Sequence, residues 1–572
     1  MNNQHWNLAI TPLSPVHMGS GADYEPTGYV IDDGVLYEFD SISALSVLPV
    51  DQRNKLDAIL RGRANQNMLL QVQSFFYANR EDLKNVSRNQ VHINSTTEAF
   101  YKDRIGSISQ RDSKGGKIHN KLEIERTAWS SAQQQSIIPG TGLKGAIRTA
   151  LLNESNNNQP LEYVLKKDRQ ANKKLQEKLF GGSFHTDPMR LLRLGDASIK
   201  RPEQFATQVW FALNRKKQPV TDVSGNLRQS KAEQAGLYQL LECLPALLPR
   251  SFISSLEIQS DNSMSKNKWP CIQFDLEQVA NACNNFYFDR FNQEIALLKT
   301  RGYLDKNWGT QIDYLLSESW LKHAMQNGRA FLLRIGRHSG AESVTLNGLR
   351  NIKIMRGKSE KPDNQDHSKT LWLAGNERNM QTNMQPFGWV LVEIFEKSEK
   401  LPEWPENTVN RDIIDWYEKN EQRQKLRAEN IRKRLETEEM ALNEKQKRQL
   451  EIEAIEQARL KAEAEELERR QAEYNALSIN HQTIYQLQEL LDAFRSQPET
   501  LRDGSEINRL LNSLIDTAIG WTDIDEREVL AKFMEVYYDQ VGWFQSGVKS
   551  SKKKKQEEKK RFQIDRIRKG NQ

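Results

Sequence analysis

Cysteine is scarce in this 572-residue chain: Cys243, Cys271 and Cys283 are the three present, scattered and with no C-x-x-C pair. That spacing excludes a zinc knuckle and a disulfide framework, so we expect a reducing cytoplasm and no metal site. Long apolar runs are absent too. No stretch approaches the ~20 residues a membrane helix needs, and the opening MNNQHWNLAITPLSP lacks a charged segment leading into a long apolar one. Neither a membrane partner nor a secretory signal is expected. A strongly basic body is also missing. Between Lys549 and Lys569 eleven Lys/Arg stand against three Asp/Glu, a net of +8, while the whole chain carries +6. Everything before that tail therefore sums to about −2. Nucleic acid bound by the body would have to meet a local groove. The tail is read either as a source of nonspecific phosphate attraction or as a disordered solubilising end.

What is present reads first as mixed α/β. Asn7–Thr11 is a short strand candidate, ended by PLSPVHMGSG, whose prolines and glycines force a loop. GYVIDDGVLYEFD reads as a hairpin of two apolar runs around Asp33-Gly34. Ser41 to about Leu60 is helical. Residues 61–120 are polar and poor in periodicity, with QRDSKGGK (110–117) as a mobile-loop candidate. Further on, FISSLEIQ (252–259), FLLRIG (331–336), TLWLA (370–374) and FGWVLVEIF (387–395) are strand candidates, and 276–298 is helical. From Glu406 to Gln497 there is neither Gly nor Pro. Within it Tyr417–Tyr474 consists almost wholly of strong helix formers, a rod of roughly 85–90 Å without a clean heptad. Residues 476–545 carry apolar residues at helical spacing.

The stretch IIPGTGLKGAIRTALL (137–152) sets Gly140, Gly142 and Gly145 at G-x-G-x-x-G spacing. A dinucleotide site would need a second strand with an acidic tip about 20 residues on. Here a polar loop and a helix follow instead. No Gly-Lys-Ser/Thr closes a P-loop, so no nucleotide cofactor is expected. Leu143, Ala146, Ile147, Ala150 and Leu151 form one apolar face, with Lys144 and Arg148 on the opposite side. Two readings remain. The helix start, with free amides and two cations, seats a phosphodiester; or the glycines form a tight lead-in turn and the cations are solvated.

IIPGTGLKGAIRTALL closely resembles a conserved-order block of the RAMP proteins of type III CRISPR systems, in particular the fifth-subunit members of the type III-A (Csm) complex. TPLSPVHMGSG (11–21), YVIDDGVLYEFD (29–40), LEIERTA (122–128), DPMRLLRLGDAS (187–198), GRHSGAESVTLNGLR (336–350), TLWLA and PFGWVLVE resemble further blocks of that family in the same order, over roughly residues 7–395. The family more often has serine where Thr141 and Gly142 stand, and residues 400–572 have no counterpart in its short members.

The resemblance implies an α+β fold. Two ferredoxin-like (RRM-related) RAMP domains, residues 1–248 with insertions and 249–400, would precede a long charged helix or coiled coil (406–475). A small all-α domain (476–547) and a basic disordered tail (548–572) would follow. It implies a noncatalytic RNA-binding subunit that caps the 3′ part of the CRISPR RNA and supports its maturation. The implied partners are CRISPR RNA, a neighbouring backbone RAMP subunit and other Csm subunits, with recruited nucleases as further candidates. The RNA contacts carried over are Gly140, Gly142, Lys144 and Arg148, with Arg337, His338 and Gly340 from the closing block. Backbone contacts of this sort would hold any guide sequence.

Two other functions stay in view. An endoribonuclease would need a base near the 2′-hydroxyl and an acid near the leaving oxygen. His17, His119, His185 and His338, or Asp103 and Asp112, are available, but no pair is fixed by spacing, so no catalytic residue is assigned. A coiled-coil scaffold would place the function in 406–545. Asp187, Arg190, Arg193 and Asp196 read as a salt-bridge set. Trp372, Phe387 and Trp389 read as core.

Overall fold

Four apolar stretches of the front half, LAITP, FISSLEI, AFLLR and WVLVEIF, are strands of one sheet in a computed structural model of the protein. The structure describes residues 4–62, 66–105, 110–111, 117–118, 122–160, 170–230, 233, 237–259, 269–354, 363–494, 505–543 and 549–570. The chain divides into two units, Met1–Ile431 and Arg432–Gln572.

Along the first unit run β1 (Gln4–Pro12), β2 (Gly19–Tyr24), β3 (Tyr29–Asp32), β4 (Val35–Glu38), α1 (Ser41–Val47), α2 (Val50–Leu60) and α3 (Gln66–Ala78). Then come β5 (Asn89–His92), α4 (Ser95–Lys102), β6 (Ile124–Thr127), α5 (Gly140–Asn156), α6 (Ala171–Leu179) and β7 (Leu192–Leu194). They are followed by β8 (Gln208–Lys216), β9 (Tyr238–Cys243), β10 (Phe252–Ile258) and α7 (Leu276–Arg301). The set closes with β11 (Ala330–Arg334), β12 (Thr370–Gly375), β13 (Trp389–Phe395) and the start of α8 (Arg411–Ala476).

The first sheet has the order β7-β10-β1-β13-β11 and is antiparallel throughout, with Leu8 opposite Ser254 on one side and Ile394 on the other. Helix α7 packs on β11 and α5 packs on α7, so one layer of helices covers the sheet. The second sheet runs β2-β6-β9-β8-β5-β4-β3, with β12 also paired to β8. Its contacts β6–β9 and β5–β8 are parallel. Each sheet draws strands from both sides of residue 248, so the two sheets are not separated by a cut there.

The β3–β4 hairpin turns at Asp33 (φ 52) and Gly34 (φ 73), the left-handed pair that a two-residue hairpin requires. The polar stretch after residue 61 holds more order than its composition suggests. In it α3 buries Val72, Phe75 and Phe76 against the hairpin, and α4 is capped by Asn94. Their short apolar faces are diluted by Gln, Asn and Ser, which hides the period. Most of QRDSKGGK, together with Asp112 and His119, lies outside the described residues.

Two buried charge networks brace the first sheet. The guanidinium of Arg250 donates to both oxygens of Glu393 at 2.8 and 2.9 Å, and the Glu393 side chain is 2 % exposed. Glu294 accepts from Trp389 Nε1 and from Arg334 Nη2, both at 2.8 Å.

In the second unit the remainder of α8 precedes α9 (Ile479–Phe494), α10 (Glu506–Ala518), α11 (Ile524–Val541) and α12 (Ser550–Lys569). The segment expected to be a disordered tail is thus a helix. Ile564 and Ile567 are buried with Leu530 and Met534, and Arg568 pairs with Glu528 and Glu535. Two isoleucines one turn apart, among lysines, suffice to dock it.

Candidate functional site

Helix α5 starts at Gly140 because Pro139 cannot extend a strand ladder and the glycines admit close neighbours. A Cβ at Gly140 would stand 2.6 Å from Leu194 O and 2.7 Å from Gly195 O. One at Gly142 would stand 2.6 Å from Met18 Cε, whereas Gly145 faces open space. The first two glycines therefore serve packing of the helix start onto the chain after β7 and onto the β1–β2 turn. Only the third lies on the open side.

The helix start is not a set of free amides. Gly140 N–H donates to Asp196 Oδ1 at 2.7 Å, and Gly142 N–H to Pro139 O at 2.9 Å. A carboxylate of the chain itself already sits at the positive end of the helix.

Lys144 and Arg148 share one side, facing the 187–193 segment. Lys144 Nζ donates to Leu192 O at 2.7 Å, leaving two donors uncommitted by that bond. Partial burial lowers its pKa, with Arg148 and Arg193 adding to the fall and Asp187 opposing it. Arg148 forks onto Asp187 at 2.6 and 2.9 Å and onto Gln176 Oε1 at 2.9 and 3.0 Å. Its charge is matched and most of its donors are used. Of the 187–196 segment, Asp187 is ion-paired, with Arg148, whereas Asp196 accepts from a backbone amide; the two hold α5 from two sides.

The closing block meets the same place from the other direction. Gly336 (φ 78) lies so close to His17 that a Cβ would stand 2.4 Å from His17 O, and Arg337 N–H donates to that carbonyl at 2.9 Å. Met18 Sδ is the third neighbour of Gly336. Three blocks far apart in sequence, 17–21, 140–145 and 336–340, thus converge at Met18. Arg337 is exposed and its guanidinium pairs with Glu125. His338, at positive φ, stacks on Trp372 with centroids 4.7 Å apart and donates from Nε2 to Gln239 at 2.9 Å. Burial, followed by Arg337, His17 and Arg334, lowers its pKa to about 3. Gly340 is exposed at the end of the turn.

Beside this junction lies an open cleft of about 800 Å³, walled by His17, β2, β6 with the residues before it, the start of β9 and Arg337. Its charges are mixed: Asp23, Glu123 and Glu125 face Arg126 and Arg337. His17 is fully buried, with Nδ1 donating to Glu242 O at 2.7 Å and Nε2 without a partner among the described residues. Burial holds its pKa below the usual imidazole value, so it is neutral with an acceptor lone pair on Nε2. The Glu242 carboxylate behind it accepts from Thr127 N–H at 3.0 Å and Thr207 Oγ at 2.7 Å, and burial raises its pKa. Sequence reading passed over Glu242; an acid inside the apolar run YQLLEC is the signal that marks it. His185 offers its carbonyl to Arg190 and lies elsewhere, as does Asp103 at the end of α4. Among the described residues no group of three or more His, Cys, Asp or Glu is placed to hold a metal ion, and no helix is long and apolar enough to cross a membrane.

A family model described as the RAMP superfamily matches residues 9–304. No curated protein matches the chain. Several solved structures are similar to it, and two stand as examples. One is a chain of a Csm–crRNA–target RNA ternary complex of a type III-A CRISPR–Cas system, 16% identical, covering 68% of this chain and 100% of that one at a TM-score of 0.37. The other is Csm5 of T. onnurineus, 17% identical, covering 67% and 99% at 0.38. Similarity at this level lends the chain neither a role nor a partner.

Proposed function

The chain belongs to the RAMP superfamily, and from that membership we propose that it is a noncatalytic RNA-binding subunit of a type III-A CRISPR effector complex. In this reading it holds the 3′ part of the CRISPR RNA, supports maturation of that guide, and contacts a neighbouring backbone RAMP subunit. We read its two sheets as two interleaved ferredoxin-like units and the helical domain expected over 476–547, joined by the docked α12, as an accessory all-α piece.

The observation that carries the reading is the convergence at Met18 of the three blocks that resemble the family. The proposed contacts are Gly140, Gly142, Lys144, Arg148, Arg337, His338 and Gly340, in unequal roles. Gly145 and Thr141 offer an open helix face for a sugar-phosphate chain, with Lys144 on the same helix; Arg337, exposed and paired with Glu125, is the cation of the closing block. Gly140, Gly142 and Arg148 act by fixing that face. Such contacts read no bases. The test is guide-RNA titration at two salt concentrations with Lys144→Ala/Arg337→Ala. Affinity is expected to fall roughly 10-fold or more, equally for a scrambled sequence, and the salt slope to shrink by about 1–2. Unchanged affinity in the folded double variant removes this surface from the interface.

One observation favours endoribonuclease activity as a second reading: His17, at the wall of the cleft with Nδ1 anchored, keeps an acceptor lone pair on a buried Nε2 that would have to be uncovered to take a proton from a hydroxyl. Incubating the protein with repeat-containing RNA, with and without metal, separates the two. Cleavage that disappears in His17→Ala supports the second reading; intact RNA supports the first.

A further inference from the structure

Beyond the junction at Met18 a second pocket, of about 500 Å³, opens between α7, the chain after β11 and the start of β12. Its cations are Lys217, Arg290, Arg334 and Arg350. Two of them are spoken for: Lys217 pairs with Glu342 at 2.6 Å and Arg334 with Glu294 at 2.8 Å. Those carboxylates are in turn saturated, Glu342 by Ser368 N–H at 2.7 Å and Glu294 by Trp389 Nε1. Asp366 pairs with His367 at 2.6 Å.

Arg290 and Arg350 are different. Both guanidinium groups donate to one neutral oxygen, Asn347 Oδ1, and the Nε of each is buried without a partner. Neither has a carboxylate within ion-pair distance among the described residues. Half-burial lowers the pKa of both; Arg290 adds to the fall at Arg350, while Asp289 and Glu342 oppose it at both and Asp366 at Arg350, all from beyond ion-pair distance. The frame holding them is rigid. Arg290 is on α7, and the loop carrying Asn347 is pinned by Asn347 N–H donating to Asn153 Oδ1 at 2.8 Å, at the far end of α5. Two guanidinium groups held side by side in a walled pocket, with carboxylates near but none in contact, leave donors that an anion between them would satisfy. The same pocket is lined by Trp372, with His338 stacked on it.

We propose that this pocket is a phosphate-binding subsite in which Arg290 and Arg350 together clamp a phosphate monoester, with Trp372 and His338 as a flat wall for an attached base. The phosphate of an RNA end and that of a free nucleotide share this chemistry. The inference does not depend on the RNA surface at Met18, because inorganic phosphate alone probes it.

The experiment titrates inorganic phosphate into the full-length protein by calorimetry, with chloride at matched ionic strength as reference. Saturable binding in the wild type is expected, weakened roughly 10–100-fold in Arg350→Gln and less in Arg350→Lys. Unfolding midpoints of the variants verify that they fold. Repeating the titration with adenosine monophosphate and with short RNAs bearing a 3′-phosphate, a 5′-phosphate or no terminal phosphate identifies the source. Tighter binding of the mononucleotide supports a free nucleotide, and tighter binding of one phosphorylated RNA supports that end. Absence of saturable phosphate binding in the wild type overturns the proposal. Equal binding by a folded Arg350→Gln does the same.

Discussion

Three glycines at motif spacing have three different surroundings, and substitution separates them. Gly140→Ala would drive a methyl group into the carbonyls of Leu194 and Gly195, which cannot rotate away, at a cost of roughly 1–3 kcal/mol. Gly145→Ala meets nothing, and relief of glycine's entropy in a helix should stabilise by about 0.5–1 kcal/mol. Chemical denaturation of both variants is expected to give opposite signs. If the open face also meets RNA, Gly145→Ala gains stability while losing guide affinity. The histidines supply a pH signature at the same scale. His338 titrates at about 3 and His92 at about 4, both because burial disfavours the imidazolium. Unfolded, each would titrate near 6.5. Between pH 6.5 and 4 the unfolded chain therefore binds more protons, and stability falls as pH falls. His338→Gln should flatten that slope, read as urea midpoints at pH 7.5 and 5.0; an unchanged slope would mean that the ring is protonated without penalty. For Arg250→Ala, loss of one partner strands the Glu393 carboxylate in the sheet, and about 3–5 kcal/mol of destabilisation is expected from the same assay.

Among the elements, α8 behaves as two helices in one. Its first turns belong to the front unit: Ile413 is buried, Trp416 Nε1 donates to Gly34 O at 3.0 Å, and Asn420 donates to Gln90 at 2.7 Å. Beyond Arg432 its leucines stand in the open; Leu450 is 66 % exposed. Its surface is laced by i,i+4 pairs such as Arg434–Glu438 and Arg448–Glu444. Trp416→Ala should therefore destabilise the front unit by roughly 2 kcal/mol or more, while Leu450→Glu shifts stability by no more than about 0.5 kcal/mol. Thermal unfolding followed by circular dichroism distinguishes the two. A large loss from Leu450→Glu would show that the helix buries that side against another chain. The same contrast explains what could be read in advance. Strands with uninterrupted apolar runs, the Asp33-Gly34 turn and the long helix were legible because each is written locally. The pairing of β1 with both β10 and β13 was not, since register between strands hundreds of residues apart leaves no local trace. Lys144 and Arg148 were legible as a pair on one side of α5. Their partners, Leu192 and Asp187, were not, because only the return of the chain through β7 brings them there.

At the scale of the whole molecule, the question is which part carries the function, and the unit division at Ile431 supplies the cut. A chain ended after Pro405 would strip Trp416, Arg423 and Arg427 from the β3–β4 hairpin and Asn420 from Gln90 on β5, exposing Gly34, Asp33 and the Tyr37 ring that the first three cover. A chain ended after Ile431 keeps every one of these contacts and discards only the solvated rod and the helices behind it. The longer truncation product should melt like the front transition of the full protein in calorimetry, and the shorter one several degrees lower. If the front unit is the RNA-holding part, the product ending at Ile431 retains guide affinity within a few-fold at physiological salt, and loses only the nonspecific attraction of the lysine-rich α12, seen as a shallower salt dependence. A scaffold centred on α8 predicts the reverse, a folded front unit with no guide bound. Retained folding together with lost guide binding would move the function to residues 432–570 and leave the convergence at Met18 as architecture alone.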